Sequence, residues 1–219
     1  MSITVNTAST NIRFTTLGGV KNDLGIGSTD QDSYLDGLIL EASDFIRTFT
    51  NREFARETVT EKLPKRFASP RLMVSRTPVR TVLFIEHNGS SVSSTSYEIE
   101  DRDAGIIWRE DRFHDTAIYN HYISRYPSRF GRKDYKVKYE AGYKMPGSTD
   151  RDLPYDLERA AREIVTQTFL ESDINKNVVR EDVGEARIDY ANPVNQLAIP
   201  KAAEDRLRPW VRAEVHINS

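Results

Sequence analysis

The chain has 219 residues, 38% of them hydrophobic and 29% charged, with a formal net charge of -2 and no cysteine. That length allows one domain with extensions and a real core, and the charge balance lacks the basic excess that holds proteins to nucleic acid or anionic membranes. The missing cysteines remove disulfides, thiolate zinc sites and cysteine nucleophiles, fitting synthesis in a reducing cytoplasm. No stretch approaches the ~20 apolar residues of a membrane helix.

Residues 1–13 are rich in Ser, Thr and Asn, carry no hydrophobic signal core and are expected to form a flexible arm. Thr16 is a candidate N-cap for a short helix marked by Leu17, Val20 and Leu24, which Gly25 can end; Gly18 and Gly19 weaken it. Ser28 with Gln31, or Thr29 with Asp32, offers capping chemistry for a helix that reaches Phe49. Its apolar positions, Leu35, Leu38, Ile39, Ala42, Phe45, Ile46 and Phe49, have the three-and-four spacing of one buried stripe. At ~1.5 Å per residue it spans roughly 27 Å.

After Phe54 the pattern changes to β-branched residues and alternation: Thr58–Leu63, Leu72–Val74, Val79–Ile85, Tyr97–Ile99, Ile106–Trp108 and Tyr135–Tyr139 are expected strands of a small antiparallel sheet. Pro78, Asn88-Gly89 and the Ser-rich run 90–96 supply turns. Residues 109–134, long, charged and aromatic, are expected to leave the sheet as an excursion. A second long helix follows Leu153-Pro154, with Asp152, Asp156 and Glu158 near its positive end and Leu157, Ala161, Ile164, Val165 and Phe169 facing the first. A short helix is expected between Pro200 and Arg208. Beyond it, Val211, Ala213, Val215 and Ile217 alternate with Arg212, Glu214 and His216, the pattern of a strand.

Signatures of catalysis are poor. There is no Walker A loop and no Gly-x-Ser-x-Gly elbow. Gly25-Ile26-Gly27-Ser28-Thr29 could cradle a phosphate but lacks a third glycine and a lysine, and a helix C-cap followed by an N-cap explains it. His87, His114, His121 and His216 lack metal spacing, and Glu98, Glu100, Asp101 and Asp103 lack the calcium-loop pattern. No enzyme, metal or cofactor is expected.

Two constellations suit binding. Arg125, Tyr126, Arg129, Phe130, Arg132 and Lys133, continued by Lys136 and Lys138, interleave cations with aromatic rings. Such a cluster suits stacking on bases and phosphate contact, the chemistry of a nucleic-acid-binding module across 125–138. It equally suits a protein interface, and the slightly acidic remainder of the chain favours the interface. The second constellation is Trp210 followed by the alternating pattern that holds Val211, Val215 and Ile217: a terminal strand for the protein's own sheet, or a strand added to another subunit.

With these residues in place the chain resembles the head-tail connector family of tailed bacteriophages, also called adaptor or head-completion proteins. The likeness runs through Phe14-Thr15-Thr16-Leu17, Val20-Lys21, Leu24-Gly25-Ile26, Thr50-Asn51-Arg52-Glu53-Phe54, Arg76-Thr77-Pro78-Val79, Tyr97-Glu98-Ile99, Gly105-Ile106-Ile107, Tyr139-Glu140-Ala141-Gly142-Tyr143 and Leu153-Pro154-Tyr155-Asp156-Leu157. A looser likeness covers Ile199-Pro200 and Leu207-Arg208-Pro209-Trp210. The resemblance implies a noncatalytic virion protein of the neck, a ring commonly of twelve subunits below the portal protein that extends the DNA channel after packaging. It also implies contact with a tail-side completion, stopper or tail terminator protein, passage of DNA without sequence-specific binding, and no membrane. Trp210, Val211, Val215, Ile217 and Leu207 are then expected at portal or neighbour contacts, and the 109–134 excursion at a second interface.

The fold expected on these grounds is α+β: a mainly helical core of two long packed helices and a short N-terminal one, an inserted small antiparallel sheet, and an extended C-terminal tail. The organisation expected is an arm at 1–13, an adaptor core at 14–171 with the β insertion at about 55–143, and an extension at 172–219.

Overall fold

The computed structural model describes residues 2–64, 69–87, 89–113, 134–177, 180–183, 186–189, 197 and 199–212. The chain divides into two compact units. One is made of residues 1–10 and 53–143, the other of residues 11–52 and 144–219.

Among the described residues, the regular elements of the first unit are strands and one 3-10 turn. A five-stranded antiparallel sheet has the order β1 (Ser2–Thr7), β2 (Glu57–Pro64), β8 (Asp134–Ala141), β4 (Val79–His87), β5 (Ser90–Val92). A three-stranded sheet has the order β3 (Ser69–Met73), β7 (Ile106–Phe113), β6 (Glu98–Asp101). Period-two alternation puts Val59 and Leu63 of β2, Tyr135, Val137 and Tyr139 of β8, and Val79 and Ile85 of β4 on one face. These join Leu72, Ile107 and Phe113 of the second sheet in one buried cluster. Tyr135 is packed edge-on by Phe113 at 5.3 Å between ring centroids and stacked by His87 at 4.2 Å.

The second unit is helical: α1 (Leu17–Leu24), α2 (Asp32–Thr50), α3 (Tyr155–Asn177) and α4 (Lys201–Leu207), with a β9–β10 ribbon (Arg180–Val183, Ala186–Asp189). Thr16 caps α1 by accepting the Gly19 N–H at 3.2 Å, and Gly25, at φ 67°, ends it. α2 buries Leu35, Leu38, Ile39, Ala42 and Ile46, while Phe45 and Phe49 stack half-buried beside them at 5.6 Å. No side chain caps its N-terminus: Gln31 stands there without a side-chain hydrogen bond, so neither expected capping pair forms. Asn51, in the left-handed region at φ 51°, closes the other end. α3 contributes Leu157, Ala160, Ala161, Ile164 and Val165 to the core and packs on α1, α2 and α4. Buried Ser43 joins the segments of this unit, donating to the Ile39 carbonyl at 2.6 Å and accepting the Phe14 N–H at 3.1 Å.

The expectation of a mainly helical core with a small inserted sheet is therefore corrected. Among the described residues, eight strands in two antiparallel sheets hold a hydrophobic core of their own, and the strand content is comparable to the helical content. The physical reason is double. The strands are short and their turns polar, so their sequence looks like connection; yet two sheets that share a buried face are as complete a layer pair as helix on helix. In addition, Ser2–Thr7, expected within a polar arm, pairs along β2.

Candidate assembly surfaces

The C-terminal end of α2 leaves carbonyls without intrahelical partners. One of them, Thr50 O, accepts the backbone N–H of Arg212 at 2.9 Å. Beside it the Arg52 guanidinium lies 5.8 Å from the centre of the Trp210 ring, cation–π distance. Pro209 sits in the 3-10 turn Arg208–Trp210 that follows α4 and turns the chain into this position. Val211, between the two anchored residues, is 45% exposed. Of the residues expected to make contacts here, Trp210 and Val211 are thus at the surface of the helical unit, but Leu207 is 0% exposed and belongs to its core with Ala203. α4 is amphipathic at helical spacing, and Leu207 is its last inward-facing position. Val215 and Ile217 lie outside the described residues, as do Arg125, Tyr126, Arg129, Phe130, Arg132 and Lys133. Of the same basic run, Lys136 stands on the solvent face of β8, paired with Glu86 at 3.4 Å and 5.5 Å above the Phe84 ring.

A second surface opens at the start of α3. Tyr155 is 78% exposed, and the Arg151 guanidinium lies 4.1 Å from its ring centre. Arg151 is itself held by Glu158 at 2.6 Å and by the Leu153 carbonyl at 2.8 Å. Sequence reasoning passed over this tyrosine, although it sits almost opposite Leu157 on the helical wheel and so away from the buried stripe.

The β unit carries a buried polar cluster that the alternation of β2 announces: Glu61 shares the parity of Val59 and Leu63, and is fully buried. Its carboxylate accepts from the Ser75 N–H at 2.9 Å, the Ser75 hydroxyl at 2.5 Å and the Tyr139 hydroxyl at 2.7 Å. Tyr139 in turn accepts the Arg76 N–H at 3.1 Å. Burial, reinforced by the Glu61 carboxylate, pushes the Tyr139 phenol well above the usual tyrosine range. The cluster pins the turn between β3 and β4 to β2 and β8.

The chemistry weighed in the sequence finds these places in the structure. Gly25 is a helix cap rather than part of a phosphate loop. Glu100 binds Arg71 in a two-pronged ion pair, whose hydrogen bond holds the carboxyl below its usual range, and Asp101 accepts the N–H groups of Asp103 and Ala104 in a turn. Among the described residues, no group of three or more His, Asp or Glu side chains is arranged to hold a metal ion, and no helix is long and apolar enough to cross a membrane.

The described residues thus form a paired-layer β unit and a helical unit, the latter with an exposed Tyr155 and a half-buried Trp210, each beside an arginine. The family model for head completion proteins matches residues 13–180, and the chain belongs to that family. Its role is structural, that of a head-tail connector. The fold is shared with a chain in the neck of an empty gene transfer agent (GTA) particle computed with C6 symmetry, at a TM-score of 0.58 and 16% identity, over 98% of this chain and 97% of the other. A chain in the neck of a native GTA particle computed with C12 symmetry aligns over the same shares with a TM-score of 0.56 and 16% identity. One in the virion of a native GTA particle aligns likewise at 0.55 and 16%. No curated protein matches the chain by sequence.

Proposed function

We propose that the chain forms a ring in the virion neck, below the portal protein, and there completes the head after packaging by presenting a platform to tail-side proteins. It does so without catalysis and without sequence-specific contact to the DNA that passes. Support comes from family membership, from the twelvefold and sixfold symmetries of the neck structures that share the fold, and from surfaces built to meet protein. The observation that carries the reading is the corner at Thr50, Arg52, Trp210 and Arg212, which fixes the root of the C-terminal segment at the surface of its unit. Trp210, Val211, Val215 and Ile217 are the residues assigned to portal or neighbour contact; the excursion expected at 109–134 is corrected, because residues 109–113 belong to β7 and residue 134 to β8, and the second interface is assigned to what remains of it, 114–133, which lies outside the described residues.

The test is a truncation after Arg212, which spares α4 and its buried Ala203 and Leu207. The shortened protein is expected to fold with an unchanged thermal midpoint and to be lost from heads, leaving them without tails. Normal incorporation and tail joining would refute the assignment of the C-terminal segment. The nucleic-acid reading of residues 125–138 makes a different demand: steeply salt-dependent binding of the isolated protein to duplex DNA. The proposed role predicts none at physiological salt.

A further inference from the structure

Among the described residues the β unit has four sheet edges, and three of them are blunted. β5 is three residues long; β3 carries Pro70 and Arg71, and β6 carries Glu98, Glu100 and Asp101. Short strands, prolines and charges are the devices by which proteins keep edges from recruiting other strands. β1 has none of them. Its six residues, Ser-Ile-Thr-Val-Asn-Thr, include no charge and no proline, all are exposed, and its outer side is unpaired among the described residues. Register places Ile3 opposite Glu61 and Val5 opposite Val59, so both side chains continue the row that forms the core. They nevertheless remain 39% and 43% exposed. Among the described residues, the core-facing side of the sheet thus runs on, uncovered, past its last strand.

We propose that this edge is the acceptor for the C-terminal segment of an adjacent copy, whose residues 211–217 add to β1 as a further strand. The inference rests on the ring reading above and names the partner of the C-terminal residues. The segment has the composition the edge lacks: Val211, Ala213, Val215 and Ile217 on one side extend the row of Ile3 and Val5, and Arg212, Glu214 and His216 on the other bring the missing charges. The root of the segment is held at Thr50 by the Arg212 N–H, so little chain remains free to be ordered on docking. Donor and acceptor are different elements of one chain, which is what a head-to-tail contact requires if it is to close a ring. Main-chain hydrogen bonds supply affinity in such additions, and alternate side chains supply register.

The absence of native cysteine makes the test clean. Particles are made with Val5→Cys combined in turn with Ala213→Cys, Val215→Cys and Ile217→Cys, because only one register brings the two Cβ atoms to the ~4 Å that a disulfide needs. The expected result is a non-reducing ladder of linked multimers for at least one pair. A ring present in the neck with no link in any of the three pairs, or with links only inside one chain, would overturn this inference alone. A chain missing from the neck of unmodified particles would overturn the ring reading and this inference with it. Val5→Lys, at an exposed position, is the second measurement. Its thermal midpoint is expected to match that of the parent protein while incorporation into heads falls at least tenfold; undiminished incorporation would count against the edge.

Discussion

Glu61 is the residue whose environment says most about how the β unit is held. Three donors converge on its buried carboxylate, and removing the acceptor would leave a backbone amide and two hydroxyls without it. Glu61→Ala is accordingly expected to destabilise the protein by roughly 3–5 kcal/mol, the range for breaking a buried charged network, measured by chemical denaturation. Glu61→Gln, which keeps an acceptor, should cost distinctly less. Tyr139 makes the pH dependence explicit. Its phenol ionises in the unfolded chain at about 10 and well above that in the fold, so the native state holds a proton that the unfolded state releases. Stability from this group is whole below pH ~10 and falls as pH rises beyond it. One tyrosine should therefore stay protonated until unfolding in a spectrophotometric titration, and Tyr139→Phe should flatten the alkaline loss of stability. The parity that places Glu61 inward was visible in the alternation Val59, Glu61, Leu63; its partner Ser75 was not, because it lies in a turn that only the folded sheets bring back.

Among the elements, α1 and the end of β8 show how differently glycines act. At Gly142, φ is 97° and an added Cβ would fall against the Ala55 carbonyl oxygen and within 2.7 Å of that of Phe54, with the Gly142 N–H bonded to the Pro78 carbonyl at 2.9 Å. Gly142→Ala is expected to cost at least ~2 kcal/mol or to prevent folding, read from soluble yield and thermal midpoint. Gly18, inside α1 with nothing within 4 Å of the same position, should gain about 0.5–1 kcal/mol on substitution by alanine. The stripe Leu35, Leu38, Ile39, Ala42 and Ile46 was legible in the sequence because helical periodicity kept over about three turns is hard to counterfeit. The start of α2 was not: Ser28, Thr29 and Gln31 are all capping types, and a single backbone hydrogen bond, from Asp32 N–H to the Thr29 carbonyl at 3.1 Å, replaced the side-chain cap. β1 was illegible for another reason, since its place is fixed by pairing with β2 across more than fifty residues of sequence.

At the scale of the whole molecule, the expected helical core gave way to two units of different construction. Composition averaged over the chain hides this, because short strands joined by polar turns resemble an insertion even when two sheets enclose a complete core. The same view corrects the design of truncations. Removing residues 200–219 would strip Ala203 and Leu207 from the helical unit, with loss of a buried leucine alone worth about 2–5 kcal/mol. Such a protein should show a lowered thermal midpoint, whereas one ending at Arg212 should not; equal midpoints would mean that α4 adds little to the unit. The family assignment was reached from ordered residues between Phe14 and Leu157, and the match over residues 13–180 spans them. The residues proposed for contact were less accessible to sequence reasoning. Leu207 and Trp210 are near neighbours in the chain, and only packing separates the one that is core from the one that is surface.

The Arg212–Thr50 hydrogen bond also sets a leash. Ile217 stands five residues beyond the knot, so even fully stretched it travels no more than roughly 18 Å from it. Any groove that grips Ile217 must open inside that radius, and a flexible spacer inserted just after Arg212 should loosen the grip by diluting the tether's local concentration while leaving every gripping side chain in place.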